Sequence, residues 1–280
     1  MKNYLIVSNK ERDPDNEVSY LIRDHLKKNE CNCTLIQVTH GNVHARKLEE
    51  AIDAGAECVL VLGGDGTLIQ VAGALVDKDV PLLGINLGTL GFLAEVEKNN
   101  IIPALDLLIA DKYDVEERIM LKASTLGDEH TALNDIVVTR HGSLRVVRYR
   151  LYVNGKFLTT YDADGIIVST PTGSTGYNLS AGGPIVEPGS NIMLITPICP
   201  HSLNIRPVVL SADDEIMIEV CESRYKLEME ACVSCDGYAT IDLKADDKVM
   251  ISKAAGVTRI IKIGSEGFLE ILRRKFKRIN

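Results

Sequence analysis

The sequence predicts an α/β domain built on a parallel sheet, followed by an antiparallel β-sandwich domain. Two changes of pattern along the 280 residues carry that reading. In the first third, short continuous apolar runs alternate with stretches of helical periodicity, as in strands buried on both faces. From about Leu121 onward, short alternating runs follow one another with few helical stretches between them. Asn154-Gly155, between two such runs, is the residue pair that a tight hairpin turn demands.

Taken in order, residues 4–8 (YLIVS) read as the first strand. Asp13-Pro14-Asp15 is a helix start signal, and Val18, Leu21, Ile22, His25 and Leu26 recur at helical spacing. Residues 33–38 read as a second strand, and 45–55 as a second helix ending at a glycine. Residues 58–62 (CVLVL) form a third buried strand that runs straight into Gly63-Gly64-Asp65-Gly66-Thr67. Leu68, Val71, Ala72, Leu75 and Val76 then mark an amphipathic helix, and 81–86 (PLLGIN) a fourth strand. Beyond a boundary near residue 119, the strand candidates are TALNDIVVTR, LRVVRYRLYV, FLTTYD, GIIVST, EIMIEV, LEMEAC, ATIDL, KVMIS and VTRIIKI. A last helix covers 268–278, with Phe268, Leu269, Leu272 and Phe276 on one side.

Composition narrows the function classes. An apolar fraction of 45% with 25% charged residues is ordinary for a folded chain. A formal charge of −8 argues against a protein that neutralises nucleic-acid backbones, so no nucleic-acid partner is expected. The basic run Arg273, Arg274, Lys275, Lys277 and Arg278 reads as a solvated helix face. The N-terminal apolar run is too short for a signal peptide, and no stretch approaches the ~20 apolar residues of a membrane span. The expected compartment is therefore the cytoplasm, with no membrane partner and with the seven cysteines reduced. Cys232 and Cys235 have the spacing of half a zinc knuckle, but a structural site needs four ligands. Residues three apart on a strand also point to opposite faces. His40 and His44 are separated by Gly41, which breaks the helix they would need. No metal site is expected.

Three motifs carry chemistry. In Gly63-Gly64-Asp65-Gly66-Thr67, at a strand-to-helix junction, the glycines let backbone approach a ligand and the helix N-terminus suits phosphate. Thr67 is a candidate cap for that helix. No lysine follows, so this is not a P-loop. Asp65 would repel a phosphate unless it meets a cation or an attacking hydroxyl. In the run from Thr170 to Tyr177, extended to Pro184, the first four small hydroxyl residues (Thr170, Thr172, Ser174 and Thr175) with Gly173 and Gly176 offer donors and room for a flat ligand, and Tyr177 is placed to stack on a base. Asn134-Asp135, opening an apolar run, suits a ribose diol or an adenine edge. The turn from Gly88 to Leu93 follows the fourth strand, where open α/β sheets bind ligands.

Together, GGDGT at 63–67, GTLGFL at 88–93, the Asn134-Asp135 pair and TPTGSTGYNLSAGGP at 170–184 resemble the bacterial NAD kinases in order and approximate spacing, over nearly the whole chain. The resemblance implies an α/β domain of residues 1–118, joined by a terminal helical segment (264–280) that packs back on it. It also implies a β domain of 119–263 that binds NAD, with the dinucleotide at the interface of the two. It implies transfer of the γ-phosphoryl of ATP, or of polyphosphate, to the 2′-hydroxyl of the adenosine ribose of NAD, with Mg²⁺ on the phosphates. Asp65 matches the general base and Gly63, Gly64, Gly66 and Thr67 the phosphate-binding turn. Phe92 matches a contact on the adenine side. Asn134, Asp135, Arg145, Asp162, Asp164, Thr175, Gly176, Tyr177, Asn178 and Ser180 match further NAD-binding positions. The chain departs from many relatives at Asp135 (commonly Glu), Asp162 (Arg in some), Gly176 (commonly Ala) and Tyr238 (often Gln). A homodimer or homotetramer is expected. The competing readings are a soluble lipid kinase of the diacylglycerol type, which also carries a GGDGT-like turn, and a dinucleotide-binding sensor without catalysis.

Overall fold

The computed structural model describes residues 1–280 except 40–42, 44, 89–90, 143–145, 203, 223–230, 265–266 and 280, and only the backbone of 239 and 277–279. The readings on His40 and His44, on Arg145 and on most of LEMEAC thus lie outside the described residues. The chain divides into two compact units, Met1–Arg118 with Thr258–Asn280, and Ile119–Val257.

In the first unit the predicted alternation resolves into β1 (Asn3–Asn9), α1 (Glu17–Lys28), β2 (Asn32–Val38), α2 (Ala45–Asp53), β3 (Cys58–Gly63), α3 (Asp65–Ala74) and β4 (Leu82–Asn86). They are followed by a two-residue β5 (Val96–Glu97) and by α4 (Ile101–Ile109), which the periodicity reading passes over. Pro103 sits in the first turn of α4, where a missing N–H costs nothing. The strands pair in parallel in the order β2-β1-β3-β4. Tyr4, Ile6, Cys58, Leu60 and Leu62 share one core cluster with Ile22 and Leu26 of α1 and Leu105 and Leu108 of α4. The residues of opposite parity, Leu5, Val7, Val59 and Val61, are buried too, which is why these strands read as continuous apolar runs. Leu21, counted on the apolar side of α1, is 50% exposed; the buried stripe is Val18, Ile22 and Leu26. Asp13 does start this helix, its carboxylate accepting the N–H groups of Val18 (3.1 Å) and Ser19 (2.9 Å).

The second unit begins within β6 (Asp114–Thr125), whose charged first half hides it from a search for apolar alternation. It continues through β7 (Asp128–Ala132), β8 (Asp135–Arg140), β9 (Val147–Val153), β10 (Lys156–Ala163), β11 (Gly165–Ser169), a short α5 (Tyr177–Ser180), β12 (Ile192–Ile198), β13 (Val208–Ser211), β14 (Ile216–Val220), β15 (Ala231–Cys235) and β16 (Ala239–Leu243). KVMIS and VTRIIKI prove to be one strand, β17 (Lys248–Lys262), which carries the chain back into the first unit. Asn154 (φ 51°) and Gly155 (φ 73°) both hold the positive φ of the predicted hairpin turn between β9 and β10. One antiparallel sheet contains β10-β9-β14-β17; the other runs β13-β12-β11-β8-β15-β16. Tyr149, Leu151, Ile216, Ile218, Val249 and Ile251 of the first share a core with Ile136, Val138, Ile166, Val168, Ile195 and Val233 of the second. That is the predicted sandwich.

The chain ends in α6 (Phe268–Ile279), part of the first unit. Arg274 pairs with Glu97 at 3.5 Å, and Lys275 Nζ stands 4.8 Å from the centroid of the Phe92 ring. The helix is therefore held by its basic residues. On its apolar side Phe268 and Leu272 are half-buried, while Leu269 is 75% and Phe276 51% exposed.

Leu60 is fully buried in the middle of the parallel sheet. Leu60→Ala should cost about 2–5 kcal/mol, read as a lower denaturant midpoint.

Candidate active site

The parallel sheet of the first unit has a topological switch point, because β1 leads to β2 on one side while β3 leads to β4 on the other. Open α/β sheets bind ligands at the strand ends beside such a point. Asn9, Gly63 and Asn86 close β1, β3 and β4 there. Asn9 Nδ2 donates to Thr67 Oγ1 at 3.0 Å, tying the end of β1 to the first turn of α3. This corrects the reading of Thr67 as a cap. Gly64, in extended conformation, holds the cap position, and Thr67 is the third residue of the helix, buried and turned toward Asn9.

Asp65 is the first residue of α3, at the positive end of the helix dipole. Its Oδ2 accepts the N–H of Phe92 at 2.7 Å, and its Oδ1 accepts those of Leu93 and Ala94, each at 3.2 Å. Two motifs far apart in sequence are thereby one structure: the aspartate of GGDGT holds the end of GTLGFL, whose Thr89 and Leu90 lie outside the described residues. Gly91 has to be glycine, since a methyl there would stand 1.8 Å from Asp65 Oδ1.

In the second unit the same device recurs. Asp236 and Gly237, with φ of 49° and 76°, are the central residues of the three-residue turn between β15 and β16, which Tyr238 N–H closes on the Cys235 carbonyl. From that turn Asp236 Oδ2 accepts the N–H of Leu133 (2.7 Å), and Oδ1 accepts those of Asn134 (2.8 Å) and Asp135 (3.0 Å). The hydroxyl-rich loop is fixed to the same peptide. Thr170 N and Ser169 Oγ donate to the Asn134 carbonyl, and Thr170 Oγ1 donates to that of Leu133 at 2.6 Å. Gly173 packs so closely that a methyl would lie 2.1 Å from the Asn134 carbonyl oxygen.

Beside this junction is a cavity of about 410 Å³ lined by Asn134, Asp135, Val137, Thr139, Tyr177, Ser234, Asp236 and Gly237. Asn134 Oδ1 is buried without a hydrogen-bond partner, as is Thr172 Oγ1 nearby in the loop. Buried acceptors are rarely left so unless a ligand or water completes them. Burial, and then the neighbouring charge of Asp236, push the Asp135 carboxyl up to about 7. Asp236 is raised by burial despite its three N–H donors, which pull the other way.

Of the other sequence candidates, Gly176 lies against this group, its methyl position 3.6 Å from Asn134 Nδ2. Tyr177 and Ser180 are exposed, and Thr175 is half-buried with its hydroxyl toward the Thr172 carbonyl. Asn178 is fully buried, and its amide donates to the Ser174 and Pro184 carbonyls while accepting from Thr196 Oγ1. Its side chain therefore frames the loop from within. Asp162 and Asp164 do not line the cavity; they pair with Arg148 (2.7 Å) and Arg140 (3.1 Å). The sequence reading missed Asn9, Asp236, Val137, Thr139 and Ser234. Strand parity points to the last three, since residues two apart from Asp135 and Asp236 share their face. No group of three or more His, Cys, Asp and Glu side chains able to hold a metal ion occurs among the described residues.

A glycine-and-carboxylate turn at the switch point of a parallel sheet, in one chain with a sandwich whose cavity is lined by Asp135 and Asp236, defines a two-unit nucleotide-binding protein. Residues 11–113 match the model of the ATP-NAD kinase N-terminal domain, and residues 133–263 that of the ATP-NAD kinase C-terminal domain. The chain is 45% identical over 278 residues to an NAD kinase of Agathobacter rectalis, covering 98% of each. It is 39% identical over 285 residues to one of Lachnoclostridium phytofermentans, covering 99% of each. Among solved structures it is similar to a yeast NADH kinase complexed with NADH, with a TM-score of 0.83, 25% identity, and coverage of 97% of this chain and 86% of that one. It is also similar to an Archaeoglobus fulgidus NAD kinase in complex with ATP, with a TM-score of 0.81, 26% identity and full coverage of both. The chain belongs to the NAD kinase family.

The raised carboxyl of Asp135 has a definite sign. A carboxyl whose folded value lies near 7, against an ordinary 3.8, stabilises the fold below the lower value. That stabilisation is lost as pH rises through about 7. The second unit should therefore melt at a lower temperature at pH 8 than at pH 5, and Asp135→Asn should shrink that difference. Thermal melts across this range check it.

Proposed function

We propose that the chain is a phosphotransferase that moves the γ-phosphoryl of ATP to the 2′-hydroxyl of the adenosine ribose of NAD, giving NADP and ADP. What carries the reading is a family match that extends through both units. The 2′-oxygen attacks the γ-phosphorus, the bond to the β-phosphate oxygen breaks, and the hydroxyl proton passes to the Asp65 carboxylate. Phosphoryl transfer asks chiefly for positioning and charge stabilisation. An aspartate clamped by three peptides is a fixed acceptor, and its Oδ2, which accepts one N–H where Oδ1 accepts two, keeps further acceptor capacity. Mg²⁺ enters as the counter-ion of ATP, the usual mode for an ion held by phosphates with one or two carboxylates.

Asn134 Oδ1, buried and unpartnered, together with Asp135, Tyr177 and the hydroxyl loop, is assigned to dinucleotide recognition. Phe92, Asp162, Asp164, Thr175, Gly176 and Ser180 are kept as candidate contacts, and Gly63, Gly64 and Gly66 as the phosphate turn. Polyphosphate is a second candidate donor. A cytoplasmic setting agrees with the finding that no described helix is long and apolar enough to cross a membrane. A homo-oligomer is supported by β10, which ends its sheet with Phe157 and Leu158 exposed.

The test is NADP formation from NAD, ATP and Mg²⁺, read with an NADP-specific dehydrogenase. Wild type should be active, and Asp65→Asn should lose at least ~10²-fold in kcat. A variant that turns over like wild type would remove Asp65 from the chemistry. An inactive wild type, with polyphosphate also tried, would turn attention to the lipid-kinase and sensor readings. Asn134→Ala should raise KM for NAD with little change in kcat, since contacts to the nucleoside bind ground and transition states alike.

A further inference from the structure

Asp236 has a geometry that no recognised motif explains. Its backbone is fixed in a left-handed turn (φ 49°), and its carboxylate reaches back to a peptide about a hundred residues earlier in the chain. There it accepts three consecutive N–H groups, those of Leu133, Asn134 and Asp135, at 2.7–3.0 Å. The link is reciprocal, because the Asp236 N–H donates to the Asp135 carbonyl at 3.0 Å. Consecutive peptide N–H groups aimed at one anion form a nest, and hydrogen bonds to a charged acceptor are about twice as strong as neutral ones. A glycine-rich loop presses on the far side of the same peptide, through Thr170 and Gly173. The orientation of the Asn134 side chain is set from both sides, and Asn134 Oδ1 is the acceptor left without a partner.

We infer that Asp236 is a positioning residue for dinucleotide binding, acting through the peptide backbone of Leu133–Asp135 rather than by touching the reacting atoms. The inference rests on the proposed function. It predicts a defined pattern of loss. In Asp236→Asn, an isosteric change, one oxygen is replaced by an amide whose hydrogens face peptide N–H groups. The turn should loosen, and KM for NAD should rise at least ~10-fold. KM for ATP and kcat should stay within about twofold.

A second readout separates positioning from mere folding. The groups around Asp135 are Asp236 on the turn after β15, Cys235 on β15 and Tyr177 on α5. Only Asp236 is among the causes that raise Asp135, beside burial. Removing its charge should move the pH at which KM for NAD changes from near 7 to a lower value, a shift that general destabilisation does not produce.

The experiment is steady-state kinetics on wild type and Asp236→Asn between pH 5.5 and 8.5, with amide hydrogen exchange on both. Slow exchange at Leu133, Asn134 and Asp135 in wild type, lost locally in the variant, supports the clamp. So does a rise in KM confined to NAD with the displaced pH profile. An unchanged KM for NAD in a folded variant overturns it, as does a collapse of kcat at unchanged KM. Should the variant not fold, fast exchange at these three amides in wild type overturns it and slow exchange supports it. A wild type that makes no NADP defeats the functional reading and this inference with it. An active wild type beside an indifferent variant defeats the inference alone.

Discussion

A carboxylate that accepts consecutive peptide N–H groups from a distant part of the chain organises each unit of this protein. Asp65 gathers Phe92, Leu93 and Ala94, and Asp236 gathers Leu133, Asn134 and Asp135. Asp13 does the same on a smaller scale for Val18 and Ser19 at the start of α1. A loop peptide normally satisfies its N–H groups with water or with regular structure. When one charged side chain satisfies three at once, the loop acquires a single shape without a strand or helix to impose it. The neighbouring glycines follow from this. Gly91 makes room for the Asp65 carboxylate, and Gly173 lets the hydroxyl-rich loop close on the Asn134 peptide. What the sequence shows as glycine-rich motifs is thus the space around two clamped turns.

Legibility tracked the range of the interaction. The strands of the first unit were readable because burial on both faces leaves unbroken apolar runs, as in residues 58–62. The Asn154-Gly155 turn was readable because positive φ at two successive residues restricts the choice of side chain. β6 was not, since its first half is charged. The apolar side of α6 is only partly covered, because helical periodicity says which residues align and not whether anything covers them; Phe268 and Leu272 are half-buried while Leu269 and Phe276 stand open.

The site divided in the same way. Asp65 and the Asn134-Asp135 pair stood out through a family resemblance that composition alone would not supply. Asp236 did not, because its partners lie about a hundred positions away and an Asp-Gly turn between strands needs no further explanation from local sequence. Asn178 matches an NAD-binding position in the sequence, and its amide hydrogen bonds go inward, to Ser174, Pro184 and Thr196. Thr67 likewise faces Asn9. Polar residues inside a motif serve the ligand or the loop that presents it, and only the fold distinguishes the two.

The path of β17 bears on how the protein is made. The first unit consists of Met1–Arg118 and Thr258–Asn280, with the whole second unit inserted between them. Ile260 pairs with Leu82 of β4, Ile261 sits in the core formed by β1, β3, α1 and α4, and Lys262 pairs with Glu95. During vectorial synthesis, at about 5–20 residues per second, the N-terminal unit emerges first and lacks these pieces until the segment from Thr258 onward follows. The inserted sandwich has all its strands available earlier, so it is free to fold before the domain that precedes it in sequence is complete. Until Ile260 emerges, the stretch of β4 around Leu82, beyond the part that β5 covers, lacks its outer partner.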